Sequence, residues 1–203
     1  STATTADTPA PQAPAVTRAV AILKLLAGRG EPMGVNAVAR ELGVAPSSCL
    51  HILRALAEDG LVQADPRTKQ YSLGLGLLTL AHDMLGRNHF AALVQPELER
   101  IARDYGATAT AVELDSRERM VVVAVAQAPT IIQIQVGVGS RFPAFISATG
   151  RCVASRAGLN RAQLKQRFSA LKWHAAPAFD AWMGEVEAAG RDGYAIDRGN
   201  YIG

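Results

Sequence analysis

Ser47, Ser48, His51 and Arg54 fall within the segment VAPSSCLHILRALAEDG, and a helix begun at Pro46 and Ser47 sets all four on one side. Hydroxyls, an imidazole and a guanidinium in such a row are groups that hydrogen-bond phosphate oxygens and base edges. The two serines occupy the first helical turn, where unpaired backbone N–H groups add to their grip on an anion. Cys49, Ile52, Leu53 and Leu56 recur at i, i+3, i+4 and i+7 on the other side, so the helix has an apolar face to bury. Two more cations, Arg67 and Lys69, stand in the polar segment DPRTK. A polar helix face, like a loop-tip cation, is more often simply solvated, so the meaning of these residues rests on the elements around them.

Those elements follow a recognisable order. Thr17 suits a helix cap ahead of Val20, Ile22, Leu23, Leu25 and Leu26, and Gly28 with Gly30 ends the pattern. Val35, Val38, Ala39 and Leu42 predict a short second helix, and Gly43 supplies the sharp turn into the third. Leu61–Ala64 and Gln70–Leu73 read as two strands joined through the cationic DPRTK tip. Three helices and a two-stranded wing make a winged helix-turn-helix, whose third helix enters the major groove of duplex DNA. Leu75 to Leu85 is apolar at helical spacing and reads as a linker helix.

Phe90 to Tyr105 predicts another helix, after which the pattern turns to strands over Thr108–Leu114, Arg119–Gln127 and Thr130–Val138. Helical spacing returns in Thr149–Ala157, Arg161–Phe168 and Phe179–Ala189. In the third strand Ile132, Ile134 and Val136 share one face and offer an apolar wall. The segment SRFPAFISATGRCVA then brings Ser147, Ala148, Thr149 and Gly150 to a helix start, a place suited to a carboxylate. On the residues alone, the simpler reading is that Ser147 or Thr149 caps that helix.

Catalytic patterns are thin. His51, His82, His89 and His174 are isolated, with no HExxH, no CxxC, no G-x-S-x-G elbow and no Walker loop. GLGLLT lacks the third glycine of a dinucleotide motif and follows a hairpin rather than opening a βαβ unit. Glu97 with Glu99, and Glu185 with Glu187, lie two apart in helices and point to different faces. No catalytic residue, cofactor or metal site is therefore expected. The net charge of +3 is compatible with a nucleic-acid partner without requiring one. Cys49 and Cys152 read as free thiols, which points to the reducing cytoplasm, and no stretch is apolar enough to span a membrane.

The segments RAVAILKLLA, VARELGVAPSSCLHILRALAEDGLV, YSLG, VGVGSRFPAFISATGRCVAS and GRDGYAID, in that order, resemble the IclR family of bacterial transcription regulators from about Val16 to Gly203. The resemblance implies an α+β chain: a winged helix-turn-helix, a linker helix, and a GAF-like effector domain built on an antiparallel sheet. It also implies homodimers that can pair as dimers of dimers, bound to double-stranded promoter DNA. Family effectors lie beside the residues equivalent to Ala148 and Thr149 and near the acidic residue of GYAID, here Asp197. There are two departures. His51 stands where many members have Arg, and family effector domains continue past GYAID into further strands, so this one reads as C-terminally truncated.

The expected organisation is a disordered tail over 1–15, a DNA-binding domain over 16–74, a linker helix over 75–88 and an incomplete effector domain over 89–203. The expected function is a sequence-specific regulator of repressor type, modulated by a small organic acid. The alternatives are an effector-domain enzyme, or a ligand-binding protein whose winged helix serves no regulation. A bare architectural DNA-binding protein would not need the long second domain.

Overall fold

The computed structural model describes residues 13–86, 89–129 and 136–201. The chain forms two compact units, Ser1–Arg87 and Asn88–Gly203. Among the described residues no helix is long and apolar enough to cross a membrane.

In the first unit, helix α1 spans Pro14–Arg29. Pro14 starts it because its fixed φ and missing N–H suit the first helical position, so Thr17 lies a turn inside rather than at the cap, its hydroxyl donating to the Ala13 carbonyl at 3.4 Å. Residues 14 and 15, expected in the tail, are therefore helical. Gly30 ends α1 in the left-handed conformation at φ 67°. Strand β1 (Met33–Gly34) precedes α2 (Val35–Leu42), and Gly43 at φ 64° turns the chain toward α3 (Pro46–Glu58). The apolar stripes of the three helices meet in a core of Ile22, Leu26, Val38, Ala39, Cys49, Leu53, Leu56 and Val62. Each large side chain fully buried there contributes roughly 1.5–3 kcal/mol.

Strands β2 (Val62–Ala64) and β3 (Gln70–Leu73) form the wing, and β1 adds to the far edge of β3. The chain leaves the wing through Gly74 and Gly76 into α4 (Gly76–Gly86). Both glycines are required by a backbone crossing: a Cβ at Gly74 would sit 2.1 Å from the carbonyl oxygen of Gly60, and one at Gly76 would sit 2.8 Å from it. Across this contact Gly74 donates to Leu61 O and Gly76 to Gly60 O, both at 2.9 Å. The GLG repeat is thus a packing device.

The second unit opens with α5 (His89–Tyr105), followed by an antiparallel sheet of β4 (Thr108–Leu114), β5 (Arg119–Gln127) and β6 (Arg141–Pro143) in that order. Ala109 and Ala111 face α5 and pack with Leu98 and Ala102, so Thr108, Thr110 and Val112 take the opposite face. The expected third strand over Thr130–Val138 is not found where it can be judged. Residues 130–135 lie outside the described residues, and Val136 to Val138 are loop and turn. The strand that pairs with β5 on the side away from β4 is β6, through Arg119 with Pro143 and Val121 with Arg141.

Helices α6 (Ser147–Arg156), α7 (Arg161–Ala170) and α8 (Phe179–Asp192) complete the unit. A capping box between Asn160 and Gln163 starts α7. Trp182 is fully buried in the core that α6, α7 and α8 share with Phe145, Leu164 and Val186. The α+β class is as expected, with a winged helix in the first unit and helices over an antiparallel sheet in the second.

Candidate nucleic-acid interface and ligand cavity

Helix α3 divides as its sequence requires. Cys49 and Leu53 are fully buried, whereas Ser47, His51 and Arg54 are exposed and Ser48 is half-buried beside them. Pro46 begins the helix, so the amides of Ser47 and Ser48 precede the first i to i−4 bond, which Cys49 makes to Ala45 at 3.0 Å. An exposed row of hydroxyl, imidazole and guanidinium groups starting at a helix N-terminus can hold phosphate at one end and reach base edges further along.

The wing tip is ordered by a residue that spacing alone does not single out. Asp65 Oδ1 accepts the backbone N–H groups of Arg67 at 2.7 Å and Thr68 at 3.3 Å. Lys69, at φ 57°, returns its amide to Asp65 O at 2.9 Å. The Arg67 amide above all, then Thr68 through its hydroxyl and amide, and the nearby Lys69 charge hold the Asp65 carboxyl below its ordinary range. Arg67 and Lys69 are exposed at this fixed turn. The signal was present as Asp before Pro in a turn segment, the pattern of an Asx turn.

In the second unit a cavity of about 230 Å³ lies over the sheet face opposite α5. Thr108, Thr110, Val112 and Val122 form its sheet side, Ser147 and Thr149 its helix side, and Phe142 and Tyr201 contribute rings. Hydroxyls therefore alternate with apolar surface, and the first-turn amides of α6 lie before the first helical bond, from Gly150 to Ile146 at 2.9 Å. Neither Ser147 nor Thr149 caps α6. Ile146 holds the cap position in extended conformation, and Ser147 is already inside the helix at φ 63°.

The other expected ligand residues are placed differently. Ala148 is half-buried and does not line this cavity. Gly150 is buried against backbone, where a Cβ would meet the Phe145 carbonyl carbon at 2.3 Å, so its role is close packing. Ile132 and Ile134 lie outside the described residues. Asp197 does not line the cavity either; its Oδ1 lies 3.5 Å from Arg151 Nη1 and accepts the Asn200 amide at 3.3 Å. Sequence reasoning missed Phe142, Tyr201 and the hydroxyls of Thr108 and Thr110, of which only the two threonines carry a signal, the alternation along β4.

A larger cavity of about 540 Å³ adjoins the same helix toward its C-terminal end, with Cys152, Val153, Phe145 and Leu114 among its walls. Its carboxylates are already engaged, Asp115 by Arg119 at 2.6 Å and Glu118 by Arg167 at 2.6 Å. Cys49 and Cys152 are both free thiols, and burial pushes the Cys49 thiol up. Among the described residues no cluster of His, Cys, Asp and Glu could hold a metal ion.

Comparison with known proteins agrees with this anatomy. Residues 15–66 match the IclR helix-turn-helix domain, and residues 82–202 match the bacterial transcriptional regulator IclR C-terminal domain. The glycerol operon regulatory protein of Streptomyces griseus is 30% identical over 138 residues, covering 68% of this chain and 54% of that protein. The chain spans about half the length of curated relatives such as this one. The crystal structure of an IclR transcriptional regulator from Alicyclobacillus acidocaldarius superposes with a TM-score of 0.78 at 28% identity, over 95% of this chain and 78% of that one. An IclR homologue from Microbacterium hydrocarbonoxydans, crystallised with 4-hydroxybenzoate, shares the fold with a TM-score of 0.75 at 17% identity, over 93% and 78% of the two chains. The two family matches follow one another along nearly the whole described chain, in the order that the sequence resemblance requires: the chain belongs to the IclR family of bacterial transcriptional regulators.

Proposed function

We propose that the protein is a cytoplasmic transcription regulator that binds double-stranded promoter DNA through α3 and the wing and is modulated by a small organic acid. The observation that carries the DNA reading is the exposed row Ser47, His51 and Arg54 on a helix whose other face is sealed in the core. Residues 16–74 act as the DNA-binding domain, 75–88 as the linker helix and 89–203 as the effector domain.

The acid binds in the cavity of about 230 Å³, a size below the usual ~300–1,000 Å³ of drug-sized ligands and suited to a small metabolite. The first-turn amides at Ser147 and Thr149 and the Thr149 hydroxyl receive the carboxylate, and the helix dipole favours its charge. Asp197 supports this site through Arg151. That an IclR homologue of the same fold was crystallised with 4-hydroxybenzoate fits the size and class of ligand.

The assembly is a homodimer, with pairing of dimers open to it. No residue of α4 is buried in this chain, and Leu75, Leu78 and Leu80 are well exposed. An apolar helix of this kind is covered by a partner, here a second copy.

The test is fluorescence anisotropy on the full chain with genomic fragments enriched by binding, against random duplex, at rising salt. Affinity falls steeply with salt because phosphate contacts release counterions, and the enriched fragments bind tighter. Absence of salt-sensitive binding refutes the DNA reading. For the ligand, a carboxylic acid that raises the melting temperature in proportion to occupancy does so less in Thr149→Val, with DNA binding in its absence unchanged. A panel of aliphatic and aromatic acids without stabilisation refutes the ligand class.

A further inference from the structure

Arg151, on α6, is a fully buried charge, and burying a guanidinium is costly unless its donors are matched. The match comes from three separate stretches of chain. Nε donates to Glu185 Oε2 on α8 at 2.5 Å, Nη1 to the Ser147 carbonyl at 2.8 Å, and Nη2 to Asn200 Oδ1 at 2.8 Å. Asp197 Oδ1 lies 3.5 Å from Nη1 and adds a second carboxylate.

Asn200 is itself held through both side chain and backbone. Its amide donates to Asp197 Oδ1 at 3.3 Å, its side-chain amide donates to Ala175 O at 3.1 Å, and its carbonyl accepts the N–H groups of His174 and Ala175, each at 3.1 Å. The next residue is Tyr201, whose ring meets Phe142 edge-on at 6.4 Å and 89°. The two rings together wall one side of the smaller cavity.

The wall is unequal in its support. Phe142 belongs to β6 and is fixed by the sheet, whereas Tyr201 belongs to a segment outside helix and strand. Its place depends on the hydrogen bonds around Asn200, and these converge on Arg151. The same guanidinium holds the carbonyl of Ser147, a cavity residue in left-handed conformation, so two sides of the cavity share one clamp. A planar fork of five donors can bind several segments at once, which an ammonium cannot do in one plane.

We propose that Arg151 is a positioning residue of the cavity: through Asn200 and Asp197 it fixes the Tyr201 ring as the wall that selects ring-bearing acids over short aliphatic ones. The proposal rests on the reading of this cavity as the ligand site. A flat ring can pack against Phe142 and Tyr201 together, while a short chain leaves that surface uncovered.

Two measurements on the full chain test it. Amide hydrogen exchange reads the clamp without any ligand. Arg151→Lys and Asn200→Ala speed exchange of the His174 and Ala175 amides, which donate to Asn200 O, at least about tenfold, while α8 amides such as that of Val186 keep their protection. Exchange at the wild-type rate overturns the clamp, and loss of protection in α8 as well shows a merely structural arginine and overturns the positioning role. Thermal stabilisation by 4-hydroxybenzoate and by butyrate reads the wall. Tyr201→Phe keeps the wild-type ratio of the two affinities, and Tyr201→Ala lowers it at least about fivefold in disfavour of the ring. An unchanged ratio in Tyr201→Ala overturns the selectivity. A wild-type chain stabilised by neither acid overturns both that selectivity and the ligand reading beneath it, and the exchange data then decide the clamp on their own.

Discussion

The backbone nitrogen of Arg67 lies 2.7 Å from Oδ1 of Asp65, and this bond folds the tip of the wing back on itself. The carboxylate thus sets the place of the exposed Arg67 and Lys69, the two cations proposed above to meet a phosphate backbone. Asp65→Ala releases the turn and weakens binding about three- to tenfold, by a similar factor on specific and random duplex, because phosphate contacts carry no sequence information. Anisotropy on both duplexes checks it. The pH dependence has a definite sign. The folded carboxyl titrates below its ordinary value, so its contribution to wing order is fully present above about pH 4 and is lost as pH falls through the lowered value. Asp65→Ala removes that acid-side loss.

Arg54 stands exposed on the polar side of α3. If it meets a base edge, Arg54→Ala costs about 1–3 kcal/mol on the specific site, or roughly 5- to 150-fold in affinity. Its effect on random duplex is far smaller. Equal losses on both duplexes assign Arg54 to phosphate instead.

Leu78 is 66% exposed on a helix that buries none of its residues. Leu78→Glu shifts the protein toward monomer in analytical ultracentrifugation and reduces binding to a two-half-site duplex far more than to one half-site. A wild-type chain that sediments as a monomer at micromolar concentration counts against the dimer.

Gly150 leaves no room for a side chain, since the nearest obstacles are backbone atoms of Phe145. Gly150→Ala pushes α6 off that loop and destabilises the second unit by about 1–3 kcal/mol, the usual range for overpacking. Urea unfolding followed by tryptophan fluorescence measures it, because Trp173 and Trp182 both report on this unit. A midpoint equal to wild type refutes the crowding.

What could be read in the sequence depended on how local its cause was. The winged helix rests on signals within a few residues of one another, Gly43 at its turn, Pro46 at its start and the i, i+3, i+4, i+7 stripe from Cys49, and these appear in the fold as spaced. Strand β6 has no such signal. It is three residues long, ends in proline, and exists because β5 offers it an edge. The two-residue β1 is invisible for the same reason. In the candidate cavity, the α6 start at Ser147 and Thr149 was legible, but Arg151 reads locally as one more polar helix residue. Its partners Glu185 and Asn200 stand 34 and 49 residues away, so only folding reveals that it is buried.

The crossing of Gly74 and Gly76 over Gly60 makes α4 a lever without a hinge. With both amides bonded to the carbonyls of Gly60 and Leu61, just past the end of α3, and no side chain between the two backbones, little room is left at this joint to absorb a push. Helix α4 runs about 16 Å at 1.5 Å per residue, so a sideways displacement of about 1 Å at its far end amounts to a rotation of about 3–4°. Transmitted undamped, that rotation turns the exposed row at Ser47, His51 and Arg54 by the same angle, and three residues without side chains are what keep the joint tight.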